Sequence, residues 1–439
     1  MGQRQILAGV IRAGSIRLLY GVLLYLVVPF ALLRLWWRGR RSPGYRQRIG
    51  ERFGRGASDL PRGMIWIHAV SLGEVRAALP LVRALLRTRP AQPLLVTTTT
   101  PTGSQQVREA LGDSVHHRYI PYDLPGVIGA FLDRLQPCLL VVMETELWPE
   151  LFNGCRRRGI PLLLANARLS PRSARGYARV PWLTRPTLAA VDVIGAQSAA
   201  DAERFRALGA PHVECVGNLK FDLSVPAGLA AQGQALRDTW GAQRRVWIAA
   251  STHAGEDELL LDAHAELLQR HADWLLILVP RHPERFAAVA ELVRRRGLAL
   301  AQRSCGEAAA GSQVYLGDTL GELLLLYAAA DVAFVGGSLV AVGGHNVLEP
   351  AALGVPVLFG RHMFNFAEAE QLLLTAGGGQ CVDAGTALVT QLEDWLTDAQ
   401  ARARASAAAA QVVAQNRGAL ARLLGIIETL LPEKARRGG

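Results

Sequence analysis

The chain has 439 residues, of which 50% are hydrophobic and 19% charged, a composition that excludes intrinsic disorder and fits a globular or membrane-associated protein. At about 150 residues per domain, this length predicts two or three domains. Lys and Arg outnumber Asp and Glu by 48 to 37, and the net charge of +11 favours an anionic partner: nucleic acid, an acidic lipid surface or a phosphorylated substrate. Scattered cysteines without a CxxC pair indicate a reducing compartment, and histidines without ligand spacing argue against a zinc site.

The first predicted element is an apolar segment near the N-terminus. Residues 18–33, LLYGVLLYLVVPFALL, carry no charge and lie between Arg17 and Arg34. As a helix they cover about 24 Å, somewhat less than a ~30 Å hydrocarbon core, and Trp36 and Trp37 would extend them into the interface. The segment is predicted to be a single membrane anchor, and the sequence leaves open whether it crosses the bilayer or lies in its surface.

The residues after this segment indicate its orientation. A cleaved signal peptide is the alternative to an anchor, but the basic sequence RGRRSPG stands where a small-residue cleavage site would be. Arginines are more numerous after the apolar run than before it, so the positive-inside rule predicts that the large C-terminal part is cytoplasmic. The same arginines are candidates for binding anionic lipid head groups: Arg38, Arg40, Arg41, Arg46, Arg48, Arg52 and Arg55.

From about residue 62, short apolar runs alternate with helical patterns, which is typical of parallel sheets. The pattern breaks around residues 217–236. We therefore predict an α/β protein with two doubly wound domains facing one cleft and ligands at the carboxyl ends of the strands. The predicted division is an anchor and basic segment at 1–60, a domain at 61–216, a linker at 217–240 and a domain at 241–439 that ends in Ala-rich closing helices.

Polar residues at the predicted strand ends of the first domain are candidates for catalysis. Glu74 follows the first strand in HAVSLGE, where a carboxylate can take a proton from an attacking hydroxyl. The alternative is that Glu74 only compensates the charge of a helix N-terminus. Glu144 and Glu146 follow the fourth strand, and Glu144 is the nearer to its end. Lys220, in GNLKFD, is placed to reach a bound anion, although a solvated lysine is the simpler interpretation.

The segment Gly343–Gly360 predicts a phosphate-binding turn in the second domain. Glycines allow a ligand to approach the backbone, and a helix opening at Asn346 would present free N–H groups to a phosphate. Glu349 could accept hydrogen bonds from a ribose, or could merely complement the helix dipole. Arg281 and His282 follow another strand, and an arginine there can bind phosphate or carboxylate bidentately. Gly321 and Glu322 open a further helix, as a ligand cradle or as an ordinary cap.

Taken together and in order, nine motifs give the chain a family resemblance. From about residue 15 to 425 it resembles the 3-deoxy-D-manno-octulosonic acid (Kdo) transferases, through HAVSLGE, TTTTPTG, PYDLP, METELWP, ANARLS, GNLKFD, PRHPER, GDTLGEL and GGHNVLEP. The resemblance implies the GT-B fold of two Rossmann-like domains. It also implies transfer of Kdo from CMP-Kdo to the lipid A precursor lipid IVA, with inversion at the anomeric carbon, at the cytoplasmic face of the inner membrane.

The resemblance also implies roles for particular residues. Glu74 would be the catalytic base, and Glu144 and Lys220 would stabilise the transition state. The residues that would hold CMP are Pro280, Arg281, Leu320, Gly321, Glu322, Asn346, Val347, Leu348 and Glu349. No metal or other cofactor is expected, since a helix N-terminus and cations can neutralise the departing CMP.

Three alternatives remain at the level of sequence. The first is another GT-B enzyme acting on a different nucleotide-sugar, such as a lipid-linked GlcNAc transferase or a UDP-sugar epimerase. The second is a membrane-tethered protein that binds a nucleotide without catalysis. Nucleic-acid binding would explain the net charge, but the chain lacks the interleaved aromatic and basic residues of a base-stacking surface.

Overall fold

A computed structural model describes residues 21, 24–30, 32–40, 42–56, 58–307 and 309–432. The chain divides into two compact units, with residues 223–416 forming the second and the remainder forming the first. Each unit is built on one seven-stranded sheet in which every neighbouring pair of strands is parallel. The predicted α/β class with two Rossmann-like sheets is confirmed.

The first unit contains a sheet of strand order β3-β2-β1-β4-β5-β6-β7, in which β1 to β6 follow the doubly wound Rossmann order. Its strands are β1 Ile65–His68, β2 Leu94–Thr98, β3 His116–Tyr119, β4 Leu139–Met143, β5 Leu162–Ala167, β6 Val193–Ala196 and β7 Val213–Cys215. The central strands are buried throughout because helices cover both faces, which is why the sequence shows continuous apolar runs here.

Proline marks the start of most helices of the first unit. Five of them have proline in the first turn, where the missing N–H costs no helical hydrogen bond. The helices are α1 Leu72–Thr88, α2 Pro101–Leu111, α3 Pro125–Leu135, α4 Pro149–Arg157, α5 Pro171–Ala178, α6 Pro181–Leu188 and α7 Ala199–Ala207.

The second unit has the strand order β10-β11-β9-β8-β12-β13-β14. Its strands are β8 Val246–Thr252, β9 Leu275–Pro280, β10 Leu300–Gln302, β11 Val314–Leu316, β12 Val332–Val335, β13 Val357–Phe359 and β14 Gly379–Cys381. Its helices are α8 Leu229–Asp238, α9 Asp257–Leu268, α10 Phe286–Arg295, α11 Leu323–Ala328, α12 Leu348–Ala352, α13 Ala367–Ala376, α14 Thr386–Thr397 and α15 Ala399–Asn416.

The last helix, α16 (Ala419–Leu430), belongs to the first unit, whereas the sequence boundaries placed it in the second domain. Its apolar face, with Leu423 and Ile427, is buried in the core that contains β1 and α1. The Asp222 carboxylate accepts hydrogen bonds from the backbone N–H groups of Gly418 and Leu420, both at 2.6 Å. Most of the predicted linker is also structured, since α8 lies within it and belongs to the second unit.

The N-terminal segment is helical at residues 21, 24–30 and 32–40, and the other residues of the predicted anchor, 18–20, 22, 23 and 31, lie outside the described residues. None of the helices in the described ranges has the length and apolar character needed to cross a membrane. Two of the arginines predicted to bind lipid are held by the protein instead. Arg52 is buried against the Tyr119 ring and donates to the Thr99 carbonyl, and Arg48 bonds to His117.

Candidate active site

The N-terminus of α1 fixes the Glu74 carboxylate close to the end of β1. Ser71 caps the helix, accepting a hydrogen bond from the Glu74 N–H at 3.4 Å and donating its hydroxyl to Glu74 Oε1 at 3.1 Å. The Val70 N–H donates to Glu74 Oε2 at 2.6 Å. The side chain is therefore bound at both oxygens and does not point freely into solvent, which is a more specific arrangement than charge compensation of a helix end requires.

Burial of Glu74 changes its acidity. The residue is 8% exposed, and this burial raises the pKa of its carboxyl from 4.5 to about 7. The Val70 N–H opposes the shift, while the negative charges of Glu144 and Glu146 add to it. A carboxyl whose pKa lies near neutrality is half ionised there, and such a group can accept a proton in the reaction and release it afterwards.

Glu144 and Glu146 follow β4, next to β1 in the sheet. The backbone of Glu144 is left-handed, with φ 56°, a conformation that costs free energy for a residue other than glycine and is often found at functional sites. Burial raises the pKa of both carboxyls, and the Lys220 charge acts in the opposite direction on Glu144. Within the first unit, Glu144 is thus within electrostatic reach of both Glu74 and Lys220.

A buried amide network positions Lys220, and the sequence analysis missed it. Lys220 lies in a 3-10 helix, Leu219–Phe221, capped by Asn218, whose Oδ1 accepts from the Lys220 N–H at 3.0 Å. The preceding N–H of this turn, at Leu219, donates to Oδ1 of the fully buried Asn166 at 3.0 Å. Asn166 also has a left-handed backbone, with φ 55°, at the end of β5. Its place in ANARLS, at the end of a continuous apolar run, was the available signal.

In the second unit, Pro280 ends β9 and Arg281 follows it directly. The Arg281 N–H donates to the Thr252 carbonyl at 3.0 Å, which ties this strand end to that of β8. The Arg281 guanidinium acts electrostatically on Glu349, so the motifs PRHPER and GGHNVLEP, both predicted to bind the donor, lie near each other. Burial raises the pKa of the Glu349 carboxyl, and the hydrogen bond from Asn346 opposes this shift.

The turn before α12 differs from the helix start expected at Asn346. The helix begins at Leu348 and has five residues, with Val347 at its N-cap. The Asn346 Oδ1 accepts from the Leu348 N–H at 3.1 Å, and its amide donates to Glu349 Oε1 at 3.0 Å. Asn346 and Glu349 thus brace each other within this turn.

The third predicted motif, Leu320–Glu322, has its own set of contacts. Gly321 has a left-handed backbone, with φ 84°, and α11 begins after Glu322. The Glu322 carboxylate accepts from Arg303 at 2.7 Å and 3.0 Å, which lowers its pKa. Leu320 is 76% exposed, an unusual position for a leucine that serves only the core.

A buried carboxylate that the sequence analysis did not identify holds the glycine-rich turn after β12. Glu256 is fully buried, and its oxygens accept hydrogen bonds from four backbone N–H groups within 3.0 Å: those of His253, Gly337, Ser338 and Leu339. Two loops separated by some eighty residues are therefore joined at one side chain. In the sequence, HAGEDE has the pattern of an ordinary helix start, and it does not indicate that Glu256 binds backbone groups far away in the chain.

Comparison with solved structures identifies the class of fold. The crystal structure of UDP-GlcNAc 2-epimerase from Neisseria meningitidis bound to UDP-GlcNAc aligns with 84% of this chain and 99% of its own, with a TM-score of 0.53 and 15% sequence identity. At that identity the likeness concerns the fold alone. That fold is GT-B, the fold with two Rossmann-like domains that the sequence predicted.

Sequence comparison then gives the family. Residues 47–223 match a family model described as 3-Deoxy-D-manno-octulosonic-acid transferase (kdotransferase). The 3-deoxy-D-manno-octulosonic acid transferase of Haemophilus influenzae is 44% identical over 94% of this chain and 99% of its own length. The enzyme of that name from Bordetella pertussis is 38% identical over 92% and 97%. The chain belongs to the Kdo transferase family and is a glycosyltransferase.

Proposed function

We propose that this glycosyltransferase moves Kdo from CMP-Kdo to lipid IVA, a lipid A precursor, and inverts the anomeric carbon in doing so. The observation that carries the proposal is the Glu74 carboxyl, which is buried, bound at both oxygens and has its pKa raised to about 7. Glu144 acts electrostatically on Glu74, and Lys220 acts on Glu144. In a Kdo transferase, this arrangement suits activation of an acceptor hydroxyl.

In the proposed step, an acceptor hydroxyl oxygen attacks the anomeric carbon of Kdo while the bond from that carbon to the phosphate oxygen breaks. The hydroxyl proton passes to the Glu74 carboxylate, and CMP leaves with the bonding electron pair. One displacement from the opposite face inverts the carbon and forms no covalent enzyme intermediate. Glu144 and Lys220 stabilise charge in the transition state, because fixed charges at a partly buried site are worth more than in water.

The second unit is proposed to hold the CMP part of the donor. Arg281 provides a guanidinium for an anionic group, and the braced turn at Asn346 and Glu349 provides polar groups for the nucleotide. The proposed CMP-binding residues are those of three motifs: Pro280 and Arg281; Leu320, Gly321 and Glu322; and Asn346, Val347, Leu348 and Glu349.

The proposal is tested by incubating purified protein with CMP-Kdo and lipid IVA and measuring product masses. We expect lipid IVA to gain the mass of one or more Kdo residues, and we expect CMP to inhibit while UDP does not. Absence of product with a folded protein, or inhibition by UDP and not by CMP, would contradict it. UDP inhibition would favour a GT-B enzyme with another nucleotide-sugar. Binding of CMP without turnover would favour a nucleotide-binding protein.

Arg281→Ala is expected to raise the KM for CMP-Kdo by about 10- to 100-fold with a smaller change in kcat, because a hydrogen bond between charged groups contributes about 1.5–3 kcal/mol. Donor titrations at saturating acceptor measure this. Arg294→Ala on α10 is the matched control, since that arginine is exposed and bonds to Gln302. An unchanged donor titration in Arg281→Ala would rule out its role in donor binding.

We further propose that the N-terminal helix attaches the enzyme to the cytoplasmic face of the inner membrane, near its lipid acceptor. Large apolar side chains on this helix are exposed: Tyr25, Leu26, Val27, Phe30, Leu33, Trp36 and Trp37. Arg40 lies over the Trp36 ring at 4.3 Å, which combines an interfacial aromatic with a cation. Such a surface favours the acyl chains and the anionic head groups of a bilayer.

Phe30→Glu combined with Trp37→Glu is expected to reduce the fraction of protein bound to vesicles of phosphatidylethanolamine and phosphatidylglycerol by about tenfold, because two charges replace apolar groups that would enter the bilayer. Flotation of vesicles with full-length protein measures this. Leu374→Glu, at an exposed leucine of the second unit, is the control and should bind as the wild type does. Equal flotation of all three proteins would contradict attachment through this helix.

A further inference from the structure

Three histidines from three loops meet in the second unit, beside the proposed CMP residues. His253 follows β8, His282 follows Arg281, and His345 precedes Asn346. The His253 and His345 Nε2 atoms are 2.7 Å apart, and the His282 ring lies edge-on to the His253 ring with centroids separated by 5.3 Å. None of the three was assigned a role above, although two of them adjoin residues that were.

The His253 and His345 rings share a hydrogen bond in one plane. Their planes differ by 3° and their centroids are 5.0 Å apart, which is the spacing of two rings joined end to end through Nε2. In this contact one Nε2 donates and the other accepts, so only one of the two Nε2 atoms carries a proton. The pair is therefore either neutral or singly positive, and it can gain or lose one proton without breaking the hydrogen bond.

The surrounding structure is built to hold this pair. Glu256 anchors the His253 N–H together with the turn at Gly337, and the His345 N–H donates to the Gly336 carbonyl at 3.2 Å. Gly337 has φ 67°, and a Cβ there would stand 3.0 Å from His345 Cδ2. A larger residue would therefore both strain the turn and push the ring away, so this glycine allows the rings to meet.

The charges around the pair shift the pKa of His253 in opposite directions. Burial lowers the pKa of the His253 imidazole, the Glu256 carboxylate opposes this shift, and His282, Arg285 and Arg281 add to it. Glu349 lies on the same turn as His345 and is acted on by Arg281. An incoming anion would favour the protonated pair. A metal site does not account for the cluster, because the described residues contain no group of three or more His, Cys, Asp or Glu arranged to hold a metal ion.

We propose that the His253–His345 pair binds the phosphate of the cytidylate group and donates a proton to it as the bond to Kdo breaks. This inference rests on the proposed function, since it assigns the donor phosphate to a particular subsite. In the step, the phosphate oxygen takes the electron pair of its bond to the anomeric carbon and receives the proton of the singly positive pair. CMP leaves with this proton, the pair becomes neutral, and solvent returns the proton afterwards.

The test compares the binding of CMP with that of cytidine, which lacks the phosphate, by titration calorimetry on the full chain near pH 7. Two buffers of different ionisation enthalpy give the proton uptake. We expect His253→Gln and His345→Gln to weaken CMP binding by about tenfold or more and to reduce proton uptake, because glutamine can hydrogen bond but cannot carry the proton. Cytidine affinity should change by less than about twofold. His271→Gln is the control, since that histidine bonds to Glu393 outside the cluster.

Turnover provides an independent readout. Because the acid must be protonated to act, kcat at saturating CMP-Kdo should fall as the pH rises in the wild type, and this alkaline limb should disappear in both glutamine variants. Variants that bind CMP with wild-type affinity and proton uptake would overturn this inference and leave the proposed function standing. Equal loss of CMP and cytidine binding would also overturn it, as it would show that the pair only supports the loops. A folded wild type that binds no CMP would overturn the proposed function as well.

Discussion

Replacing Glu74 by glutamine is expected to lower kcat for Kdo transfer by about 10²–10⁴-fold while CMP-Kdo binding stays within about twofold, because a general base contributes that factor to the chemical step and not to donor binding. Glutamine keeps an oxygen that can accept from the Val70 N–H, so the helix start should survive. Initial rates at saturating donor and acceptor, together with CMP titration, measure the two effects.

Glu146→Gln is the matched control for this variant. Glu146 is also a partly buried carboxyl with a raised pKa at the end of β4, but the proposed reaction does not use it. Its substitution should leave kcat within about tenfold, well short of the range expected for loss of a general base. A Glu74→Gln enzyme with nearly normal turnover, or a Glu146→Gln enzyme that is equally impaired, would refute the assignment of the base to Glu74.

The pH dependence follows from the same carboxyl. Since its pKa in the folded protein is about 7, wild-type activity should fall as the pH drops below 7, and Glu74→Gln should lose this acidic limb. The free energy of unfolding should instead decrease as the pH rises. The folded pKa is raised above the ordinary value of 4.5, so the contribution of Glu74 to the free energy of unfolding is full below pH 4.5 and is lost as the pH rises through 7.

It follows that Glu74→Gln should be more stable than the wild type at about pH 8, by roughly 1–3 kcal/mol, and close to it at about pH 5. Urea unfolding at the two pH values measures this difference. A variant that is less active and also less stable at the higher pH would indicate that Glu74 mainly supports the start of α1. In that case the variant would lose activity because of misfolding and not because the base is missing.

Glu256→Ala is expected to have the largest effect on stability, reducing the free energy of unfolding by about 3–5 kcal/mol, because it leaves several buried N–H groups without an acceptor. The second unit should be affected most, since all four donors lie there. Urea unfolding followed by tryptophan fluorescence measures the change, and Trp247 in β8 reports on this unit.

Glu258→Ala is the matched control for the Glu256 variant. It lies two residues further along the same helix, is exposed, and should change the free energy of unfolding by no more than about 0.5 kcal/mol. Glu256→Gln should fall between the two, because its amide keeps one accepting oxygen and turns an NH₂ group toward the other N–H donors. If Glu256→Ala unfolds with the wild-type energy, the buried carboxylate does not hold the turn after β12.

Local sequence patterns predicted most of the fold. Continuous apolar runs such as IWIH and LLVVM predicted the parallel sheets, because both faces of a parallel sheet are covered. Three strands at sheet edges, β7, β10 and β14, have three residues each and give no such run, because alternating or polar residues interrupt them.

The strand-end rule also located Glu74, Glu144 and Arg281, because residues that follow parallel strands collect at one edge of a sheet. Asn166 and His253 also stand at strand ends but were not singled out, and Glu256, at a helix start, lies outside this rule. Each of these acts through partners far away in the chain: the Asn166 amide accepts from Leu219, and Glu256 binds Gly337. Such contacts have no local pattern, since any asparagine or glutamate in a loop or helix start looks the same in the sequence.

The sequence by itself determined the α/β class, the order of most strands along the chain, the family motifs and the carboxylate that serves as the candidate base. Only the tertiary structure decided that α16 packs on the first unit, that burial brings the Glu74 pKa to about 7, and that His253 and His345 share one hydrogen bond. The physical reason is the separation along the chain of the residues that interact. Periodicity and strand ends depend on neighbouring residues, whereas burial and side-chain pairing depend on segments that only folding brings together.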